Sequence, residues 1–420
     1  MSEPIRVVLD VEALGYGVEP GPGRAGTFRA AERFAVAALR RPDLDVQFTS
    51  IRSFFQEVQL WRYERANRRF GARFLKTWRH PSIGHDELAD MVERVVEVGE
   101  DHPDGRKLMA EVALANRLAR PIAPPDGVDI FHSQRSALPD RSRLSARARA
   151  LTVHDVIPLL HPEWCVDDAH AAMRIILQSV DAERDWLFCP SECTRRDVMA
   201  ELAIDPERIV VVPWGVDESI FHPVDDEREI SEMRRRYGIG GAPYLLSVCT
   251  VEPRKNLAHL IHSFARLVRD PAHADLRLVL VGALGWKTAP ILEAADLAGV
   301  ADRVCWPGFV PDEDLTALYA GAEVFVCASR YEGFGLPLLE AMRSAVPVVT
   351  TAGGSLPEVI GSAGIVVHDL DDADALAAGI AAARGNRQLA AAGFERARGY
   401  TWERALDLTV SAYRAILRRI

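Results

Sequence analysis

The sequence predicts an α/β protein of two doubly wound, Rossmann-like domains that face each other across a cleft. Apolar runs of strand length alternate with helical patterns in two successive series along the chain. A charged, irregular stretch to about residue 241 separates the two series and predicts a domain boundary near residue 220. The 420 residues are also too many for one ordinary hydrophobic core.

The first series is expected to form a domain over residues 1–220. Its strands are predicted at 5–10, 46–51, 128–132, 150–154, 186–189 and 209–213. A loop rich in glycine and proline, 15–26, separates the first strand from a helix at 27–39. This order is typical of nucleotide-binding units. Because the loop has no GxGxxG pattern, a plain connection is the favoured interpretation of the loop alone.

The segment around 52–125 is too long for an ordinary crossover, so we expect a helical insertion there. Its first half, 54–78, is dense in arginine, and its apolar residues approximate one helical face. These residues are Phe54, Val58, Trp61, Phe70, Phe74 and Trp78. Two interpretations stay open. The face packs on the core, which we favour, or it contacts a membrane surface or a lipid-linked substrate.

The second series, 221–400, contains the stretch around which the chain is organised, YEGFGLPLLE at 331–340. The apolar run before it predicts a buried strand, and Pro337 suits the first turn of a helix after it. Gly333 and Gly335 allow a tight turn that leaves backbone amides uncovered. Uncovered amides at a helix N-terminus form a binding site for phosphate.

Four charged side chains are candidate ligands in the same cleft. Glu332 lies in the turn and Glu340 about one helical turn later, where both can line one wall beside the hydroxyls of a sugar. Arg254 and Lys255 follow the first strand of the second series, and their charges complement a diphosphate without a metal. The residues therefore predict a donor site for a sugar nucleotide in the second domain and an acceptor site in the first.

Three other features are weaker signals. His154 ends a predicted strand, where open α/β sheets bind ligands, but a lone histidine is often structural. The backbone of PGFVP, 307–311, could meet the edge of a nucleobase. The acidic pairs at 312–314 and 369–371 precede helices, where capping and the helix dipole explain them, so we expect no metal site.

The composition argues against several classes of protein. A net charge of −10 disfavours nucleic acid as the main partner. No apolar run reaches the roughly 18 residues of a membrane span, and the N-terminus lacks the features of a signal peptide. The six cysteines are scattered without a CxxC pair, as is typical of reduced thiols. We expect a cytoplasmic protein, with peripheral contact at the inner face of the membrane as an open alternative.

Several motifs, in the same order, make the chain resemble the family-four glycosyltransferases, which are retaining enzymes of the GT-B fold. The resemblance covers most of the chain and is strongest over 210–367. Its carriers are VPWGVD at 212–217, EPRKN at 252–256, VG at 281–282, WPGF at 306–309, and the glutamates 332 and 340 with GFGLP between them.

The resemblance implies a role for each matching position. Arg254 and Lys255 would bind the donor diphosphate, Glu340 would hold the ribose hydroxyls, and Glu332 would contact the donor hexose. His154 looks like the first-domain histidine that reaches the transferred sugar; with Glu332, Arg254 and Lys255 it forms the expected catalytic set. The other positions expected at the donor and its phosphates are Gly26, Gly308, Phe309, Gly333, Phe334, Gly335 and Leu336.

The phrase TVHDVIP at 152–158 is most like the bacterial mannosyltransferases that build surface polysaccharides. It implies GDP-mannose as the donor, no further cofactor, and a glycan or lipid-linked oligosaccharide as the acceptor. Retention would follow from front-face attack, in which the leaving phosphate helps to take the acceptor proton. The segment 52–125 does not align with the family, so the acceptor stays open.

Two alternative functions share this architecture. A sugar-nucleotide epimerase would consume its substrate without an acceptor, and the arrangement of Glu332 and Glu340 argues against it. A non-catalytic partner subunit that binds a sugar nucleotide is the second alternative, and the complete set of motifs argues against it.

Overall fold

Two parallel sheets form the centre of the computed structural model, which describes residues 3–18, 26–67, 71, 73–122 and 127–420. The strands are β1 (Ile5–Asp10), β2 (Leu44–Thr49), β3 (Arg73–Phe74), β4 (Trp78–Arg79), β5 (Arg120–Pro121), β6 (Val128–Ser133), β7 (Ala146–Thr152), β8 (Trp186–Cys189), β9 (Ile209–Val211), β10 (Tyr244–Val248), β11 (Arg277–Val281), β12 (Val304–Gly308), β13 (Val324–Cys327), β14 (Val348–Thr351) and β15 (Ile365–Val367).

Helices connect the strands in both halves of the molecule. They are α1 (Thr27–Leu39), α2 (Phe54–Ala66), α3 (His85–Val98), α4 (Pro103–Leu118), α5 (Ile157–Leu160), α6 (Ala169–Gln178), α7 (Glu192–Glu201), α8 (Glu227–Arg236), α9 (Leu257–Leu267), α10 (Ala289–Leu297), α11 (Asp312–Ala320), α12 (Leu336–Arg343), α13 (Leu356–Ile360), α14 (Ala373–Ala383), α15 (Arg387–Ala397) and α16 (Trp402–Arg419). Among the described residues, no helix is both long enough and apolar enough to cross a membrane.

The strand order of each sheet reverses once, as in doubly wound folds. The first sheet runs β3-β2-β1-β6-β7-β8-β9 and the second runs β12-β11-β10-β13-β14-β15, and neighbouring strands are parallel. The expectation of two Rossmann-like sheets is therefore confirmed. The order switches between β1 and β6 and between β10 and β13, so ligands are expected beyond the carboxyl ends of those strands.

Both faces of the first sheet are buried, which explains why its strands read as continuous apolar runs. Along β1, Val7 and Leu9 belong to one hydrophobic cluster, whereas Val8 belongs to another. In β10, Leu245 and Leu246 also separate into two clusters. Since successive strand residues point to opposite faces, each sheet must be covered by helices on both sides.

The insertion expected around 52–125 is mainly helical, as α2, α3 and α4 show, but the helical face assigned to 54–78 is only partly correct. Helix α2 ends at Ala66, while Phe74 lies in β3 and Trp78 lies in β4; residue 70 lies outside the described residues. Phe54 and Val58 are fully buried. These two residues pack against α3 and α4 in a separate small core, as the favoured interpretation requires.

Helix α16 returns the chain to the first half of the molecule. Its stripe of Trp402, Leu406, Val410, Tyr413 and Ile416 is buried in the same cluster as α1. A backbone bond from Val216 to Tyr400 fixes the chain just before this helix. Of the glycine loop 15–26, the structure describes a 3-10 turn, Glu12–Gly17, and Gly26; residues 19–25 lie outside it.

Candidate functional site

A cleft of about 400 Å³ lies between the carboxyl ends of the two sheets. Residues from both halves line it, among them Thr27 of α1, Trp214 after β9, and Gly282 after β11. Of the positions expected at the site, the cleft is lined by Gly26, His154, Arg254, Lys255, Phe309, Glu332, Gly333, Phe334, Gly335 and Leu336. Gly308 and Glu340 do not line it.

Arg254, Lys255 and Glu332 meet in one hydrogen-bonded cluster on the floor of the cleft. Lys255 Nζ donates to Glu332 Oε1 at 2.5 Å, and Arg254 Nη1 donates to Oε2 at 2.7 Å. Ser329 Oγ adds a third bond to Oε1 at 2.7 Å. The other terminal nitrogen of Arg254, Nη2, donates to Glu252 at 2.5 Å.

The local backbone explains why two successive cations turn the same way. Pro253–Lys255 forms a single 3-10 turn after β10, and Asn256 ends it in a left-handed conformation with φ of 55°. Helix α9 begins immediately afterwards. The backbone carbonyl of Arg254 also accepts a hydrogen bond from the backbone nitrogen of Arg330, which ties this turn to the segment that carries Glu332.

The electrostatics of this cluster keep all three groups charged. Burial raises the pKa of the Glu332 carboxyl, but the neighbouring charges of Arg254 and Lys255 outweigh burial and bring the pKa down to about 2. Burial and Arg254 disfavour the charged form of Lys255, yet Glu332 and Glu252 leave its pKa above the usual value. The cluster therefore presents fixed cations to any anion that enters the cleft.

The glycine turn before α12 has the close approach that the sequence indicated. A Cβ atom on Gly333 would lie 2.2 Å from the carbonyl oxygen of His154. Gly335 has φ of 104°, a conformation that favours glycine, and it directly precedes the first residue of α12. The carbonyl of Gly333 accepts hydrogen bonds from Ser191 Oγ at 2.7 Å and Thr194 Oγ1 at 3.1 Å.

His154 lies in the cleft wall two residues beyond β7, because the strand ends at Thr152 and not at residue 154 as expected. Its ring centroid is 5.2 Å from that of Trp214. Burial, with a contribution from Arg135, lowers its pKa to about 4, so the ring is neutral near pH 7. Both ring nitrogens are buried, and among the described residues neither has a hydrogen-bond partner of ordinary geometry.

Glu340 is the expected site residue whose position differs most from expectation. Its side chain is only 3% exposed, and it lies behind the cleft wall. Arg29 Nη2 of α1 donates to Oε1 at 2.6 Å, and Tyr319 Oη donates to Oε2 at 2.9 Å. Arg29 itself lines the cleft. The motif placed Glu340 correctly on α12, but a residue from the other half of the molecule covers it.

Arg29 and Asp312 are cleft residues that sequence reasoning missed. No local sequence pattern identifies Arg29 as a site residue, because arginine is common throughout the chain and α1 is an ordinary helix. The sequence explains Asp312 by capping and the helix dipole. In the structure Pro311 is the cap residue, and Asp312 lies in the first turn of α11, where the helix dipole favours an acidic residue. Asp312 also lies 3.7 Å from Arg29 Nε. Only the packing of the two halves brings this pair together.

The nucleobase and metal expectations both stay predictions. Gly308 is the last residue of β12 and does not line the cleft, while the next residue, Phe309, does. In the part of the chain that the structure describes, no group of three or more histidine, cysteine or acidic side chains is arranged to hold a metal ion.

Two family models match the two halves of the chain. "Glycosyltransferase Family 4" covers residues 57–220, and "Glycosyl transferases group 1" covers residues 229–399. The chain is 32% identical over 295 residues to the O-antigen chain mannosyltransferase B of Escherichia coli. This alignment covers 68% of this chain and 74% of that protein.

Two further proteins are similar over different lengths. The MMP alpha-(1->4)-mannosyltransferase of Mycolicibacterium hassiacum is 33% identical over 241 residues, 56% of this chain and 55% of that protein. The crystal structure of Anabaena HepE in complex with UDP and glucose superposes with a TM-score of 0.63 over 97% of this chain and 100% of that chain, at 15% identity. The sequence matches and the shared fold together show that the chain belongs to the family-four glycosyltransferases of the GT-B fold.

Proposed function

We propose that this glycosyltransferase moves mannose from GDP-mannose to a glycan or lipid-linked acceptor, with retention of configuration, in the synthesis of a surface polysaccharide. The observation that carries the proposal is the meeting of Arg254, Lys255 and Glu332 with the glycine turn of α12 in one cleft. The names of two similar proteins, both mannosyltransferases, support mannose as the transferred sugar.

The proposed transfer reaction depends on stabilising the negative charge that develops as the donor bond breaks. Departure of a nucleoside diphosphate leaves negative charge on its terminal phosphate, and preorganised donors lower the energy of that state. Arg254 and Lys255 supply charge-assisted hydrogen bonds, and the start of α12 adds backbone amides. Glu332 would exchange one of its present cationic partners for a hydroxyl of the hexose.

The neutral ring of His154 suits a hydrogen bond to the transferred sugar on the acceptor side. A protonated imidazolium there would oppose an oxocarbenium-like transition state, so the low pKa of His154 favours transfer. The acceptor proton would pass to the departing phosphate. No base on the protein is then required on the attacking face.

We also propose that the reaction needs no divalent cation, since Arg254 and Lys255 supply the positive charge that a metal would otherwise bring. We propose that the protein works in the cytoplasm, where any lipid-linked acceptor would be presented at the inner face of the membrane. Full activity in excess EDTA is the expected result. Restoration of a lost activity by Mg²⁺ or Mn²⁺ would refute the metal-free mechanism.

The decisive experiment is a transfer assay with a panel of nucleotide sugars. Purified protein is incubated with GDP-mannose, UDP-glucose, UDP-N-acetylglucosamine or ADP-glucose and mannose-terminated oligosaccharides, and products are identified by mass spectrometry and by the anomeric NMR signal. We expect an α-linked product from GDP-mannose. A β-linked product would refute retention, and conversion of a nucleotide sugar without acceptor would identify an epimerase.

Arg254→Ala is the matched test of the site, and Arg330→Ala is its control. Arg254 donates into the cleft cluster, whereas Arg330 pairs with Asp371 on the surface. Loss of a charge-assisted contact to the leaving group should lower kcat/KM by at least 100-fold. Arg330→Ala should stay within about twofold of the unmodified protein. Equal activity in the two variants would contradict the assigned phosphate site.

A further inference from the structure

An ion pair between the two halves of the molecule holds the carboxylate that the proposed function assigns to the donor ribose. Both oxygens of Glu340 are engaged, one by Arg29 of α1 and the other by Tyr319 of α11. The residue is almost fully buried. A ligand in the cleft therefore meets Arg29 before it can meet Glu340.

Arg29 has a second acidic neighbour, which gives it an alternative position. Its Nε lies 3.7 Å from Asp312 Oδ1, and its guanidinium carbon lies 5.3 Å from the centre of the Phe221 ring. Asp312 lines the cleft and its side chain is 31% exposed. A small rotation of the guanidinium can thus exchange Glu340 for Asp312 without leaving a buried cation unpaired.

Tyr319 cannot leave in the same way. It is fully buried on α11, and it belongs to the same half of the molecule as Glu340. One carboxylate oxygen is therefore held from within the second half. The other is held by a side chain that enters from across the cleft, and that bond is the one a ligand can replace.

We propose that Arg29 competes with the ribose hydroxyls of the donor for Glu340, so that donor binding releases this bond and moves the guanidinium to Asp312. The inference rests on the proposed function, because it takes the donor ribose as the ligand of Glu340. Arg29 is then a residue that sets donor affinity without contributing to the chemical step. Breaking the ion pair between Arg29 and Glu340 costs free energy when the donor binds. The wild-type protein therefore binds the donor more weakly than it would without this pair.

The test compares Arg29→Gln with Arg33→Gln. Arg33 lies one turn further along α1 and pairs with Asp217 at 3.0 Å and with Asp312 at 3.8 Å, but it has no ion pair with Glu340, so it controls for the loss of a cation beside Asp312. Binding of GDP, UDP and ADP is measured by calorimetry at pH 8.5, which favours the ionised carboxylate, and circular dichroism checks that each variant is folded. For whichever nucleotide binds the wild-type protein, Arg29→Gln should bind it at least fivefold more tightly, and Arg33→Gln should not differ.

A double variant isolates the competition from other effects of Arg29. In a Glu340→Gln background, the further change Arg29→Gln should leave nucleotide affinity unchanged, because the carboxylate for which Arg29 competes is gone. Weaker or unchanged binding in the single variant Arg29→Gln would overturn the proposal and make Arg29 a ligand or a bystander. If none of the three nucleotides binds the wild-type protein, the proposed function fails, and this inference fails with it.

A second measurement does not depend on the variant being stable. In the wild-type protein, the nucleoside diphosphate and its 2′,3′-dideoxy analogue should differ in affinity by less than about tenfold, because the hydroxyl bonds gained are offset by the ion pair lost. A larger preference for the ribose form would show that nothing opposes binding at Glu340, and would overturn the competition.

Discussion

Two groups of buried charges in this protein form ion pairs. The position of each group decides whether its side chains can reach a ligand. Arg149 and Asp185 form a buried pair within the first sheet domain, where both groups are nearly inaccessible. The pairs of Glu332 with Arg254 and Lys255 are almost as well buried but open on the cleft. Removing one partner of a buried pair typically costs about 3–5 kcal/mol. Only the second group can instead exchange a partner for a ligand.

His132 provides a test of burial at the residue scale. Its Nδ1 lies 2.5 Å from Tyr413 Oη and its Nε2 lies 2.8 Å from Thr152 Oγ1. Burial, with a smaller contribution from His154, lowers its pKa from 6.5 to about 3. Below pH 6.5 the unfolded chain takes up a proton that the folded protein does not, so the free energy of unfolding falls as the pH is lowered towards 3.

We predict that the free energy of unfolding depends on pH more steeply in the wild-type protein than in the variant His132→Gln. From pH 7 to pH 5 the wild-type protein should lose about 2 kcal/mol more stability than His132→Gln, since 1.5 pH units below the unfolded pKa correspond to about that free energy. Urea unfolding at each pH measures it. Parallel profiles for the two proteins would mean that His132 is not held neutral by the fold.

At the scale of elements, the turn between β13 and α12 joins the two halves of the molecule as well as forming the cleft. Its Gly333 packs on the backbone of His154, while Ser191 and Thr194 at the start of α7 bind its carbonyl. The turn therefore has contacts on both sides. Its conformation sets the position of α12 and of Glu332 relative to the first domain.

Gly333→Ala should disturb the turn without changing any charge. The added Cβ would meet the His154 carbonyl at 2.2 Å, and such overpacking typically costs about 1–3 kcal/mol. We expect a lower melting temperature and at least tenfold weaker nucleotide binding. Gly241→Ala is the control, because nothing lies within 4 Å of its Cβ position. If both variants melt and bind alike, the close approach at Gly333 is not required.

At the scale of the whole molecule, contacts across the cleft and the return of α16 hold the two halves together. The Glu358 carboxylate accepts hydrogen bonds from the backbone nitrogens of Glu192 and Cys193 at the start of α7. Tyr331 Oη donates to Asp197 at 2.7 Å. Helix α16 adds apolar contact, since it begins beside Gly215 and then packs on α1.

The contribution of α16 can be measured with two substitutions on its opposite faces. Tyr413 is 1% exposed and bonds His132, whereas Leu408 is 39% exposed. Tyr413→Ala should lower the free energy of unfolding by about 3–5 kcal/mol, as large-to-small core substitutions do. Leu408→Ala should change it by less than about 0.5 kcal/mol. A small effect at Tyr413 would mean that α16 is not part of the first domain's core.

Local sequence patterns were sufficient to predict the two doubly wound sheets and most of the residues that line the cleft. The alternation of apolar runs and helices depends on local periodicity, and the motifs at 252–256 and 331–340 each lie within one strand–turn–helix unit. Arg254, Lys255 and Glu332 follow the adjacent strands β10 and β13, so strand order brings them together. Helix α2 was correctly expected, but its length was not, because apolar residues in short strands imitated its spacing.

The residue that covers Glu340 could not be predicted from the sequence, because tertiary packing brings it there. Arg29 and Glu340 are separated by 311 positions in the chain, and neither has a local feature that identifies the other. Their contact depends on how the two domains are placed, which is set by the bonds to Gly333, by Glu358 and by α16. An interaction between domains reflects the sum of such long-range contacts, whereas a periodic pattern reports only on the neighbours of each residue along the chain.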